Sequence, residues 1–149
     1  MVYTDSDGQK KYPYVIHRTS LGCYERTLAL LIEKYAGALP TWMAPEQVRV
    51  LAITDRANAR CEDIKKHLSD LGIRAETDLR NEKIGFKIRE ARMERVPYLL
   101  VIGDAEIENG EVAVRSRSDG DLGTTSLDTF ATKLLLEIAS RAKVTGITL

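Results

Sequence analysis

Cysteine, histidine and tryptophan are scarce in this sequence: two, two and one among 149 residues. Cys23 and Cys61 are too few for a disulfide framework, and with no CxxC or HxxxH spacing they suggest no metal cage. A domain of this size needs neither, because it buries roughly 70% of the surface its unfolded chain exposes. No apolar run approaches the ~20 residues that cross a bilayer, and the opening MVYTDSDGQKKYPY is too polar for a signal-peptide core. A cytoplasmic protein with no membrane partner is therefore expected. Excess charge is missing too, since 22 Lys and Arg balance 22 Asp and Glu. That balance excludes a general polyanion binder such as a DNA-coating protein, yet permits a local basic face. No GxGxxG or Walker phosphate loop follows a strand-like run. His17, Ser20 and Cys23 lie close in sequence, but no acidic residue is placed to orient the histidine, so a nucleophilic triad is unsupported.

What the sequence does contain is a regular alternation of apolar runs and apolar stripes. Asp7-Gly8 predicts a hairpin turn between Val2 to Thr4 and Tyr12 to Ile16. Leu28, Leu31, Ile32 and Tyr35 predict a helix from about Gly22 to Tyr35, stopped by Gly37. Pro40, Trp42 and Pro45 mark a connector, and the expected division is a first domain over 1–43 and a second over 44–149. Val48 to Ile53 then reads as a strand covered on both faces. Asp55 can cap a helix with the stripe Ala57, Cys61, Ile64, Leu68 and Leu71, closed by Gly72. Ile73 to Asp78 and Pro97 to Ile102 read as further strands, with a helix from Ile84 to Arg95 between them. Glu111 to Arg117 alternates like a strand, Gly120 and Gly123 break the chain, and Thr125 with Asp128 suggests a capping box for a last helix through Leu127, Phe130, Leu134 and Ile138. The fold class is α/β: a mixed sheet of about five strands flanked by three helices, preceded by a hairpin and helix.

Candidate chemistry concentrates between Arg80 and Arg95, which hold six basic and three acidic residues around the stripe Ile84, Ile88 and Ala91. Gly85, Arg89 and Arg92 share one helical side, and Asn81 sits just ahead of the helix. Arginine offers a rigid donor fork and a flat stacking face, while asparagine both donates and accepts; unstacked RNA bases are read with such groups. Taken alone, the segment reads more readily as a solvated helix with ordinary Glu/Lys/Arg pairs. Glu106 reads as a loop carboxylate and Arg115 as an edge-strand charge, so spacing alone assigns neither to a ligand.

Longer stretches are recognisable as they stand. The run Ile16 to Arg26 (IHRTSLGCYER), followed by TLALLIEKYAG and PTWMAPEQV, resembles the end of the catalytic domain of the bacterial threonyl-tRNA synthetase family, with the third signature motif of class II aminoacyl-tRNA synthetases. DLRNEKIGFKIREA (Asp78 to Ala91), VPYLLVIGDAEIENG (Val96 to Gly110), VAVRSR (Val112 to Arg117) and GDLGTTSLDTF (Gly120 to Phe130) resemble the anticodon-binding domain of the same family.

The resemblance implies that residues 1–43 are a remnant of the catalytic domain and residues 44–149 an anticodon-binding domain. It implies that Asn81, Arg89, Glu106 and Arg115 contact the anticodon loop of threonine tRNA. Arg26 would grip the ATP γ-phosphate and His17 would supply one zinc ligand, both in the parent enzyme only. That enzyme, a threonine-tRNA ligase and a homodimer in its family, attaches threonine to its tRNA using ATP with magnesium and a zinc ion. The first two class II motifs and the other zinc ligands lie outside this sequence, so the fragment is expected to hold no cofactor and not to aminoacylate by itself. The alternative is a stand-alone accessory or regulatory tRNA-binding protein built from the same domain.

Overall fold

The computed structural model describes residues 1–20, 22–144, 146 and 147; Leu21, within the 16–26 motif, lies outside them. The chain divides into two compact units, Met1–Leu30 and Leu31–Leu149.

In the first unit, strands β1 (Tyr3–Thr4) and β2 (Lys10–Lys11) form a short antiparallel hairpin around Asp7 and Gly8. The second strand thus precedes Tyr12 to Ile16, where the sequence places it. Lys11 supplies the reason for the earlier pairing: its Nζ bonds the carboxylates of both Asp5 and Asp7, which fastens the turn. Helix α1 (Tyr24–Tyr35) runs across the division between the units, and none of its described residues is buried.

The second unit is built on a sheet of strand order β4-β3-β5-β6-β7. Its strands are β3 (Val48–Ala52), β4 (Ala75–Asp78), β5 (Tyr98–Ile102), β6 (Glu111–Ser116) and β7 (Gly120–Ser126). The first three are parallel and the last two antiparallel, the mixed pattern expected. Helices α2 (Asn58–Asp70), α3 (Ile84–Met93) and α5 (Leu127–Ser140) flank it, and a short helix α4 (Asp104–Asn109) follows β5. Connector residues pack into this unit: buried Gln47 donates to Thr41 O and accepts from Arg74 N, while Arg74 donates to the carbonyls of Ala44 and Trp42.

Several local expectations change. Asp55 opens a single turn of 3-10 helix rather than capping α2, whose N-cap residue Ala57 has no side-chain hydrogen bond to offer. Leu71 leaves the buried stripe because it sits at the C-cap, where Gly72 turns the chain away. Helix α5 is capped by Ser126, whose Oγ accepts from Thr129 N at 3.2 Å, instead of by a Thr125–Asp128 box. Residues 120–126, with two glycines, form the edge strand β7 through pairing with β6.

Period-two alternation assigns the sheet's faces. Val48, Val50, Tyr98, Leu100, Ile102, Val112 and Val114 point to one side and join Cys61, Ile64, Leu68, Phe130 and Leu134 of α2 and α5 in the larger core. Leu51, Leu99 and Val101 point to the other, where Ala91, Ile84 and Ile88 of α3 cover them. On β6, Ala113 packs at the margin of this cluster and, like Arg115, is only half-buried.

Candidate nucleic-acid interface

Helix α3 is oriented by its flanks. Glu90 is bonded by Arg80, whose guanidinium also grips Asp78 at the end of edge strand β4, so this flank faces the β4 edge. Helical geometry then turns the opposite flank, with Gly85, Arg89 and Arg92, toward β5 and β6. Arg115 is paired with Leu99 across the ladder and stands on the same side of the sheet. A register shift between Val114 and Arg115 bends β7 beside it, and its Nη1 lies 3.6 Å from Asp121 Oδ2. Its side chain remains 38% exposed.

The other two expected residues lie at the carboxyl-terminal rim of the parallel strands. Asn81 follows β4, and Glu106 lies in α4 directly after β5, with the end of β3 between them. Parallel α/β sheets leave their ligand crevices at this rim. Rise per residue sets the spacing: Arg89 is five residues into α3, about 7–8 Å from its start at the rim. Arg115, opposite Leu99, lies about 10 Å below the end of β5. The four side chains thus belong to one face and its rim rather than to opposite sides of the sheet.

Their partners differ from those of neighbouring charges. The guanidiniums of Arg49, Arg74, Arg80 and Arg117 are committed to protein carboxylates or carbonyls. Among the described residues, the side chains of Asn81, Arg89 and Arg92 have no hydrogen bond or ion pair. Beyond its chain neighbours and the helix's own backbone, nothing lies within 4 Å of where a Cβ on Gly85 would stand, so the backbone one turn before Arg89 is open to a flat group. Glu106 Oε2 accepts from Gly103 N at 2.8 Å, which fixes the half-buried carboxylate. Gly103 allows this closeness: a Cβ there would stand 3.0 Å from Glu106 Oε2 and 2.9 Å from Ile53 Cδ1. Gly110, with φ 70°, turns the chain from α4 straight into β6.

Asn81 lines a 270 Å³ cleft with Thr54, Asn58 and Lys87. Asp78, at the strand end leading into that cleft, accepts from Arg80 N, Nε and Nη2. These Arg80 bonds, with nearby Lys87, hold its carboxyl below the usual carboxylate range against the opposing cost of burial. Sequence reasoning counts Lys87 among the outward charges of the basic segment, yet it is 2% exposed. Its place between Ile84 and Ile88, one turn before Ala91, is the available signal.

The two residues expected in a catalytic remnant stand apart from this surface in sequence and in unit. His17 and Arg26 are both exposed in the first unit. Among the described residues no group of three His, Cys, Asp or Glu could hold a metal ion, so the residues present do not fit a zinc cage. No helix of the described residues is long and apolar enough to cross a membrane.

A family described as "Anticodon binding domain" matches residues 47–137, which contain the whole sheet and all four side chains. The chain belongs to this anticodon-binding domain family. It is also similar to the threonine–tRNA ligase of Clostridium botulinum (strain Eklund 17B), at 57% identity over 96% of this chain and 22% of that protein. The threonine–tRNA ligase of Acetivibrio thermocellus is 50% identical over 95% of this chain, again 22% of its own length. The chain therefore spans about a fifth of the curated relatives it matches. Among solved structures, the RNA-binding domain of threonyl-tRNA synthetase from Cryptosporidium parvum matches this chain with a TM-score of 0.70 and 28% identity, over 80% of this chain and 29% of that one. The anticodon-binding domain is thus embedded in a chain homologous throughout nearly all its length to one region of threonine–tRNA ligases.

Proposed function

We propose that this chain reads the anticodon loop of threonine tRNA, as the C-terminal part of a ligase that joins threonine to its tRNA at the expense of ATP. Threonine codons share their first two bases, so the anticodon positions that pair with them are a constant G and U. Unstacked bases are recognised on their Watson–Crick edges and by stacking. Guanine presents two adjacent N–H donors there, and the carboxylate of Glu106 accepts from them. Arg89 and Arg115 offer planar forks to uracil and to the sugar–phosphate backbone, and Asn81 donates and accepts from one amide. The observation that carries this reading is that Asn81 and Arg89, with no protein partner among the described residues, share one face and rim with Glu106 and Arg115.

Aminoacylation requires the rest of a class II catalytic centre, which in such a ligase holds zinc and ATP with magnesium. His17 and Arg26 are single contributors to that centre, so this chain alone is inert in ATP exchange with threonine. The whole ligase is cytoplasmic and homodimeric in this reading.

A fluorescence titration with anticodon stem-loops tests it. Replacing the G or the U is expected to weaken binding by about 1–3 kcal/mol for each base. Arg89→Ala is expected to weaken the cognate loop roughly tenfold or more while leaving thermal stability unchanged within about 0.5 kcal/mol. Equal affinity for all loops, or an Arg89→Ala protein that binds as well as the parent, would refute the reading.

A further inference from the structure

The geometry points to Lys87 as a positioning residue that holds Asn81 in its reading position, an inference that rests on the anticodon reading above. Lys87 is the only lysine or arginine buried among the described residues, and it occupies an inward position of α3 where the apolar stripe calls for a hydrocarbon side chain. Burying such a group is costly unless its donors are satisfied. Here Nζ donates to Ala52 O at 2.9 Å and to Asp78 O at 3.1 Å. Those carbonyls belong to the last residues of β3 and β4, where the ladder between these strands ends. One side chain on α3 therefore ties together both strand ends and the helix.

The tie continues into the recognition loop. Lys87 Nζ also lies 3.9 Å from Asp78 Oδ1. Asp78 accepts from the backbone N–H of Arg80 at 3.1 Å and from its guanidinium at 3.0 and 2.7 Å, fixing the residue immediately before Asn81. Arg80 Nη2 returns to α3 through Glu90, and Glu82 N donates to Arg80 O at 2.8 Å. Asn81 has no such bond of its own, so its direction depends on this frame. It lines the same cleft as Lys87, Thr54 and Asn58. Lys87 thus sets where the Asn81 amide meets a base without touching the base itself.

A double-mutant cycle on the full chain separates positioning from bulk stability, with the anticodon stem-loop of threonine tRNA as probe. Lys87→Met, which keeps the side-chain length but no donor, is expected to weaken binding roughly tenfold, and by less than about twofold once Asn81→Ala is present. Leu134→Ala, in the core on the opposite face, is expected to lower thermal stability at least as much while leaving affinity within about twofold below its melting temperature. Should Lys87→Met fail to fold, the same cycle is run with Lys87→Gln, whose amide retains two N–H donors; a smaller loss, again absent on the Asn81→Ala background, is expected. Effects of the Lys87 and Asn81 changes that multiply, or a Lys87 variant that binds as the parent does, overturn the positioning role alone. An Asn81→Ala protein with parental affinity overturns the Asn81 assignment as well.

Discussion

The two faces of the central sheet are built to different rules. Toward α2 and α5 the cluster is large, apolar and closed: Val48, Val50, Leu100, Ile102, Val112 and Val114 meet Cys61, Ile64, Leu68, Phe130 and Leu134. Toward α3 the apolar cluster is small, and the helix that covers it inserts Lys87 and flanks it with Asp78, Arg80 and Glu90. On β6 this face leaves Arg115 and Ala113 half-buried. One face therefore supplies burial and the other supplies fixed polar groups beside open surface. Stability and recognition should accordingly respond to different substitutions.

The largest effect expected from this division is in the closed core. Leu134→Ala removes a fully buried side chain and should cost about 2–5 kcal/mol in chemical denaturation, with RNA affinity of the folded protein unchanged. A loss of affinity without loss of stability would erase the distinction between the faces.

Next comes the polar contact inside that same core. Tyr98 Oη donates to Glu137 Oε2 at 2.6 Å, and the Tyr98 ring meets Phe130 edge-on at 5.8 Å between centroids. Tyr98→Phe leaves the buried carboxylate without this donor, at an expected cost of about 1–3 kcal/mol. Burial first, then the Glu137 bond, raises the phenol well above its ordinary value of 10.0. A group whose pKa is raised in the folded state stabilises fully below its unfolded value and loses that contribution as pH rises beyond it. The parent protein should therefore lose stability above pH 10.0 more steeply than Tyr98→Phe does, as measured by denaturation midpoints across alkaline pH. Parallel curves would remove Tyr98 from the account.

The smallest of these three effects on stability, read out in base selectivity, is expected at Gly103. Its φ of −118° suits any residue, and the atoms that an added Cβ meets are the ends of the Ile53 and Glu106 side chains. Gly103→Ala should then cost about 1 kcal/mol or less while displacing the Glu106 carboxylate. Binding of the loop carrying the constant G should weaken more than binding of a loop in which that G is replaced. Equal weakening of both loops would dissociate Glu106 from guanine.

The βαβαβ order was legible because Val48 to Ile53, interrupted only by Arg49, and Pro97 to Ile102 are apolar runs, and because Cys61, Ile64 and Leu68 keep a helical period between them. Strand β7 was not, since two glycines and a single leucine carry no local signal; its ladder with β6 and the packing of Leu122 on the core make it a strand. The hairpin register shifted for a similar reason, with Lys11 and two aspartates outweighing the β-prone residues that follow. At the candidate site, helical spacing grouped Arg89 with Gly85 and Arg92 correctly. Glu106 and Arg115 were marked by family resemblance alone, and nothing local could show that a strand end brings one to the rim and a ladder position brings the other to the α3 side of the sheet.

The sequence by itself determined which segments become strand or helix and which helix sides turn inward, because burial of periodic apolar residues is a local pattern with a large free energy behind it. Only the tertiary structure decided that the inward Lys87 finds partners. The helical period already turns Lys87 inward and Arg89, two residues and about 200° further round, outward; what the sheet adds is a pair of strand-end carbonyls opposite the buried ammonium.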